Sequence, residues 1–245
     1  MKIAVISDIH GNLLALEAVL DMIKKHGVDK IICLGDIIGK GPSSRETIDI
    51  CRKECDIVIK GNWEDALVKA SRKEGSLYPH GFRTRWYLDS IGSEERLEYL
   101  DSLPHSTELY LSGKLVRLFH AHPANYNRYF PHSPIEQRLE LFQPSEFSNE
   151  QKTADIAIYA DIHSVYFQNV EGKHLINVGS VGNPLDTTDA SFIILEEYDE
   201  NNYGMQFMRT TYDREQAIEI AKKANAPDLD GYISELRTAK YFRRG

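Results

Sequence analysis

Thiols, long apolar runs and positive charge are all scarce in this sequence, and each shortage removes a class of protein. Three cysteines, Cys33, Cys51 and Cys55, form an odd set with no CxxC spacing. That argues against a disulfide framework and against a structural zinc knuckle, and it fits a reducing compartment. No stretch approaches the roughly 18 apolar residues of a membrane span. The opening MKIAVISDIHGN has neither the apolar core nor the small-residue cleavage site of a secretory leader. A cytoplasmic chain with no membrane partner is the expectation. Lysine and arginine number 29 against 37 acidic residues, a formal net charge of −8. A broad basic face for nucleic acid is therefore not expected, although local positive patches stay open, for example around bound metal.

What remains is ample apolar material, 42% of 245 residues, arranged in short runs. KIAVIS, KIICLG and DIVIKG read as strands, and LLALEAVLDMIKK, SSRETIDICRK and WEDALVKASRK between and after them read as helices. Strand–helix–strand at this interval predicts a parallel sheet covered on both faces. An aromatic, mixed-charge insertion at about 75–105 predicts two short helices ending at Pro104. From 107 onward STELYLS and KLVRLFH flank Gly113 as a hairpin, and IAIYA, SVYFQNV, HLINVGS, SFIILEEY and GMQFMRTT follow. With no helix read between them, these later strands predict a largely antiparallel sheet. Two amphipathic helices close the chain at about 213–242. Without a repeat, a low-complexity linker or a break in composition, residues 1–245 read as one two-layered α/β domain.

The chemistry gathers at strand ends. An apolar run stops on Asp8-Ile9-His10, and another stops on Asp161-Ile162-His163. Between them lie Gly35-Asp36-Ile37-Ile38-Gly39-Lys40-Gly41-Pro42, then Gly61-Asn62-Trp63-Glu64, then Phe119-His120-Ala121-His122-Pro123. In open α/β sheets ligands bind outside the carboxyl ends of strands. Carboxylate, imidazole and amide oxygen there suit a pair of divalent metals, and the lack of thiolates argues against iron–sulfur or structural zinc. Each piece alone has a plainer reading: a lone D-x-H is weak, Asn beside Gly is often a turn, and a single buried histidine is usually just hydrogen-bonded. Five such ends in order are a poor candidate for chance.

The series D-I-H, G-D-I-I-G-K-G-P, G-N-W-E, H-A-H-P, A-D-I-H and N-V-G-S-V-G-N-P resembles the calcineurin-like metallophosphoesterases, specifically their small bacterial phosphodiesterase-type branch, over residues 2 to about 185. The resemblance implies an αββα sandwich of two facing mixed β-sheets flanked by helices. It implies phosphoester hydrolysis at two divalent metal ions, Mn or Fe foremost, with Zn, Ni or Mg as alternatives. One metal would be held by Asp8, His10, Asp36 and His163, and the second by Asp36 as bridge with Asn62 and His120. Hydroxide held by the metals would attack phosphorus in line. The implied substrates are small phosphorylated molecules, nucleotides above all, cleaved at phosphodiester or phosphoanhydride bonds; dinucleoside polyphosphates such as diadenosine tetraphosphate fall in that class. A phosphomonoesterase and a non-catalytic scaffold, like the retromer subunit of this fold, remain alternatives. A homo-oligomer stays open.

Two departures from the family pattern matter. Asp161 stands where the family has a histidine of the second metal site. As a ligand it would remove one unit of positive charge and disfavour a monoester dianion relative to a diester. Otherwise it hydrogen-bonds His120 or a water. Trp63 stands where a histidine would help protonate the leaving group, and indole gives up no proton in this range. His122 is the candidate stand-in acid, with a phosphate contact or a plain surface role as alternatives. Trp63 could stack on a base or simply pack. Lys40, Tyr126, Arg128 and Tyr129 are candidate substrate contacts, as are Tyr78, His80, Arg83 and Arg85 in the insertion, where capping of the core is the plainer reading. His26, His105, His132 and His174 carry no motif and read as surface residues.

Overall fold

The computed structural model describes residues 1–75 and 81–242, so Tyr78 and His80 lie outside the described residues. Strands β1 (Lys2–Ile6), β2 (Lys30–Cys33) and β3 (Ile57–Val58) run parallel, joined by α1 (Leu13–Lys25) and α2 (Ser44–Glu54). Next come α3 (Asn62–Ser71), α4 (Phe82–Ile91) and α5 (Glu94–Ser102). The hairpin β4 (Ser106–Leu111) and β5 (Lys114–Phe119) precedes α6 (Ile135–Glu140), β6 (Ile156–Tyr159), β7 (Val165–Val170) and β8 (Lys173–Val178). The chain ends with β9 (Ala190–Glu197), β10 (Tyr203–Thr210), α7 (Arg214–Lys223) and α8 (Leu229–Thr238).

These strands make two five-stranded sheets, ordered β10-β9-β1-β2-β3 and β4-β5-β6-β8-β7. The twofold period of a strand sorts their side chains. Ile3, Val5, Ile32 and Ile193 of the first sheet meet Val116, Leu118, Ile158 and Ile176 of the second in a buried layer between the sheets. Their neighbours Ala4, Ile6, Cys33 and Phe192 face the other way, onto Leu16, Val19 and Ile48 of the helices. The buried stripe Ala15, Leu16, Val19 and Ile23 of α1 has the spacing of one helical face. On the far side of the second sheet, Phe119, Tyr159 and Leu175 are covered by Tyr129, Leu141 and Phe142. Sandwich and helical flanks are those the family resemblance implies.

The later strands are the exception to expectation. They do not form one antiparallel sheet: β9 leaves to pair antiparallel with β1, and β10 follows it. Within the second sheet β5–β6 and β6–β8 are parallel, while β4–β5 and β7–β8 are antiparallel. A parallel neighbour needs a crossover of a dozen or more residues. The long segment between β5 and β6, with the unanticipated α6 in it, supplies that length. Strand β3 is also shorter than its apolar run, just two residues, because the chain turns early into the loop before α3.

One buried charge fastens that crossover to the sheet. Arg117 of β5 is fully buried, and its Nε donates to Glu108 Oε1 on β4 at 2.6 Å. Its Nη1 donates to Phe142 O at 2.6 Å, and its Nη2 to Glu150 O and Lys152 O, each at 3.0 Å. Arg117→Ala would strand the Glu108 carboxylate and three carbonyls, and should destabilise the fold by about 3–5 kcal/mol. Denaturant unfolding measures this; a loss under about 1 kcal/mol, the size of an exposed ion pair, would contradict it.

Candidate metal centre

Pairing of β1 with β2 continues past the strand ends. Asp8 N–H donates to Gly35 O (3.0 Å), His10 N–H to Asp36 O (2.9 Å) and Gly11 N–H to Ile37 O (2.8 Å), which zips the two loops side by side. In the second sheet Ala160 N–H donates to His120 O at 2.8 Å, joining the loops after β5 and β6. The loop after β8 then crosses between the sheets, with Val181 N–H on Ser7 O and Gly182 N–H on Asp8 O, each at 2.9 Å. A Cβ on Gly182 would lie 1.7 Å from Ile9 O, so only glycine allows this approach.

The repeated D-I-H is a repeated backbone shape. Asp8, His10, Asp161 and His163 have φ of 52°, 49°, 63° and 57°, and Asp36 has 50°. Non-glycine residues in this left-handed region cost on the order of 1–3 kcal/mol each, a strain that clusters at functional sites. Here it brings one motif from each sheet to a single point. His10 Nε2 and His163 Nε2 lie 3.1 Å apart, and Asp8 Oδ1 is 3.3 Å from His163 Nε2. Asp36 Oδ2 stands 3.6 Å from His10 Nε2 and 3.5 Å from His120 Nε2. Asn62 Oδ1 is 2.9 Å from His120 Nε2.

The three imidazoles are turned alike. Nδ1 of His10 faces Ile38 O at 3.1 Å, that of His120 faces Leu34 O at 2.8 Å, and that of His163 faces Asn183 O at 2.6 Å. A carbonyl only accepts, so each Nδ1 carries a proton and each Nε2 is the atom turned inward, the arrangement of a metal-ligating histidine. Asp8 Oδ1 is buried and has no hydrogen-bond partner among the described residues. Asp8, His10 and His163 offer ligand atoms all within 4.8 Å of one another, as do Asp8, Asp36 and His120. These donors fit two hard or borderline divalent cations.

Electrostatics agree with that fit. Burial pushes the Asp8 carboxyl up, but His163, His120 and His10 outweigh it and hold the group well below the carboxylate range. Burial raises Asp36. It also lowers His10, with help from the charges of His163 and Lys40. His120 goes up in spite of burial, because Asp36, Asp8 and Asp161 surround it with negative charge.

Glu64 is a residue whose role was missed from sequence. Fully buried, it accepts from the N–H groups of Gly61 and Asp36 at 2.8 Å, Ile37 at 2.9 Å and Ile38 at 3.3 Å. It thereby caps α3 and shapes the Asp36 loop together. The signal was an acid three residues past the N-cap Gly61, the acceptor half of a capping box. Burial, then the Asp36 charge, push its carboxyl up to about 7.

Other expectations fare differently. Asp161 lies at the rim, Oδ1 3.9 Å from His120 Nε2, and belongs to neither candidate ligand group. Its carboxylate is gripped by Arg128, Nε on Oδ2 at 2.6 Å and Nη2 on Oδ1 at 2.9 Å. Lys40 is not free for phosphate: Nζ donates to Asn183 Oδ1 at 2.5 Å and to Glu235 Oε2 of α8 at 2.9 Å. Trp63 packs instead of waiting for a base. It stands edge-on to His10 and Tyr87 at 5.8 and 5.2 Å between ring centres, with Arg83 5.7 Å over its ring. A Cβ on Gly39 would come within 2.3 Å of the indole. Tyr126 flanks His120 at 6.3 Å, edge-on. His122 stacks on Tyr129 at 5.3 Å and accepts from Ala124 N–H at 3.1 Å, its Nε2 is buried without a hydrogen-bond partner among the described residues, and burial lowers its pKa. His105 and His174 are half-buried, His105 tilted against Phe147 and His174 bonded to the Tyr203 hydroxyl.

Comparison with known proteins shows the family. Residues 1–200 match the model of the calcineurin-like phosphoesterase superfamily domain. The chain belongs to that superfamily. MJ0912, an uncharacterized protein of Methanocaldococcus jannaschii, is 32% identical over 245 residues, which cover 94% of this chain and 95% of the relative. The crystal structure of a metallophosphoesterase from Sphaerobacter thermophilus superposes with a TM-score of 0.76 at 25% identity, covering 98% of this chain and all of that one. A hypothetical protein of Pyrococcus horikoshii, PH1004, gives 0.75 at 20% identity, covering 96% and 97%. In this calcineurin-like phosphoesterase, Glu64→Gln would set an amide N–H₂ against backbone N–H donors. It should cost about 1–3 kcal/mol of stability and reduce the metal retained after dialysis. Unfolding curves and elemental analysis measure both; unchanged values in both would contradict the cradle's role.

Proposed function

We propose that the protein is a dinuclear metal-dependent phosphohydrolase that cleaves phosphodiester or phosphoanhydride bonds of small nucleotide-like substrates, dinucleoside polyphosphates among them. The observation that carries this reading is the meeting of Asp8, Asp36 and three imidazoles, every Nε2 turned inward, at one buried point. Two divalent cations bound there, Mn or Fe by donor chemistry, would lower the pKa of water toward neutrality and offset charge on the phosphoryl oxygens. Asp8, His10, Asp36 and His163 would hold one cation, and Asp36, shared between the two, would hold the other with Asn62 and His120. Five left-handed residues at the site are a strain that a purely structural scaffold of this fold has no reason to keep.

The bond class follows from what flanks the centre. Trp63 offers no proton to a leaving group, and His122 makes its contacts elsewhere. A leaving group that departs as a weak base, such as a nucleotide phosphate, needs no acid. Charge by itself does not favour a diester here, because Arg128 returns the unit of positive charge that Asp161 removes. The preference therefore rests on the missing acid. Three free cysteines support a cytoplasmic setting.

Chelation and Asp36→Ala should each lower turnover of an activated aryl phosphodiester on the order of 100- to 1000-fold. Hydrolysis that survives both would sink the metal reading. Along a series of aryl diesters the rate should rise steeply as the leaving-group pKa falls. A flat series would show that an acid operates, and would overturn the bond class while leaving the metal centre standing.

A further inference from the structure

We infer that Asp161 is the positioning residue of Arg128, and that Arg128 is the protein's own phosphate-binding cation beside the metal centre. This rests on the functional reading above and adds the part of the site that would recognise the substrate's phosphoryl oxygens. A guanidinium has two forked edges. Arg128 spends the one formed by Nε and Nη2 on Asp161, taking both carboxylate oxygens at 2.6 and 2.9 Å. The remaining fork, Nη1 with the second N–H of Nη2, is left for a ligand, and Nη1 has no hydrogen-bond partner among the described residues. Such a fork matches two oxygens of a phosphate. Arg128 is half exposed while Asp161 is 5% exposed, so the carboxylate anchors the buried end of the pair and the cation faces the solvent side.

Position supports this division of labour. Asp161 Oδ1 is 3.9 Å from His120 Nε2, which puts the guanidinium immediately outside the candidate ligands. The Asp161 main chain is tied inward, its N–H on Asp8 Oδ2 at 3.2 Å. The carboxylate that fixes Arg128 is thus built onto the same frame as Asp8. Tyr129, next in sequence, is buried and gives its carbonyl to the Tyr159 hydroxyl at 3.1 Å, which holds the Arg128 loop against the second sheet. A carboxylate bonded through both oxygens to a guanidinium keeps that arginine at a set distance from the metal centre.

The test compares wild type, Arg128→Ala, Arg128→Lys, Asp161→Asn and the Arg128→Ala/Asp161→Asn double variant, all metal-loaded. Bound metal is counted by elemental analysis, and inorganic phosphate binding is measured by calorimetry. All five should carry the same metal per chain. Each single variant should weaken phosphate by roughly 10- to 100-fold, the lysine included because it cannot fork. The double variant should be no worse than Arg128→Ala, since the pair acts as one unit. Loss of a metal equivalent in Asp161→Asn but not in Arg128→Ala would make Asp161 a metal ligand and overturn the inference. So would unchanged phosphate affinity in Arg128→Ala, or additive losses in the double variant. Wild-type protein that takes up no metal would defeat the functional reading instead, and the phosphate comparison would still judge Arg128.

Discussion

Buried lone pairs facing one another, with nothing but a cation or a proton to reconcile them, are the constraint on which the rest of this structure depends. His10 and His163 point Nε2 at Nε2 across 3.1 Å, and carboxylate oxygens of Asp8 and Asp36 close the same space. In a low-dielectric interior such a grouping is strongly unfavourable unless positive charge joins it. The carboxylates of Asp36, Asp8 and Asp161 raise His120 in spite of its burial, and burial raises Asp36.

Keeping the donors turned inward takes much of the fold. His120, from the second sheet, gives its Nδ1 proton to Leu34 O at the end of β2 in the first. That one bond fixes a tautomer and links the two layers. His163 does the same on Asn183 O, and Asn183 is held in turn by Lys40, whose ammonium is anchored by Glu235 of α8. The C-terminal helix α8 therefore braces a histidine at the centre, though none of its residues lies in the candidate ligand groups. Gly182 and the Ser180 hydroxyl, which donates to Asp8 O at 2.7 Å, hold the first motif from the opposite side.

The legible part of the site was the part written locally. Asp8, His10, Asp36, His120 and His163 each end an apolar run, and strand ends in such sheets are where ligands gather, so their gathering could be foreseen. The partners of Lys40 and Asp161 could not be read in this way. Lys40 between two glycines looks like a phosphate contact until Glu235, 195 residues on, neutralises it. Asp161 is legible as an acid beside a histidine, but its bidentate partner Arg128, 33 residues back, is not. For the sheets, the apolar run of β9 announces a strand but not its neighbour; its place beside β1 follows from long-range packing. Glu64 was legible in principle, as a helix-capping acid, but its second duty to the Asp36 loop needed coordinates.

At the edge of this frame stand Trp63, walling the site beside His10, and Arg128, clasping Asp161. Both matter only if the frame holds cations. The most direct measurement is anomalous X-ray diffraction from crystals soaked in manganese. The account predicts two peaks, one beside Nε2 of His10 and His163 and one beside Nε2 of His120, with Asp36 between them. No peak within ligand distance of these nitrogens, in crystals whose side chains stand as described, would contradict it.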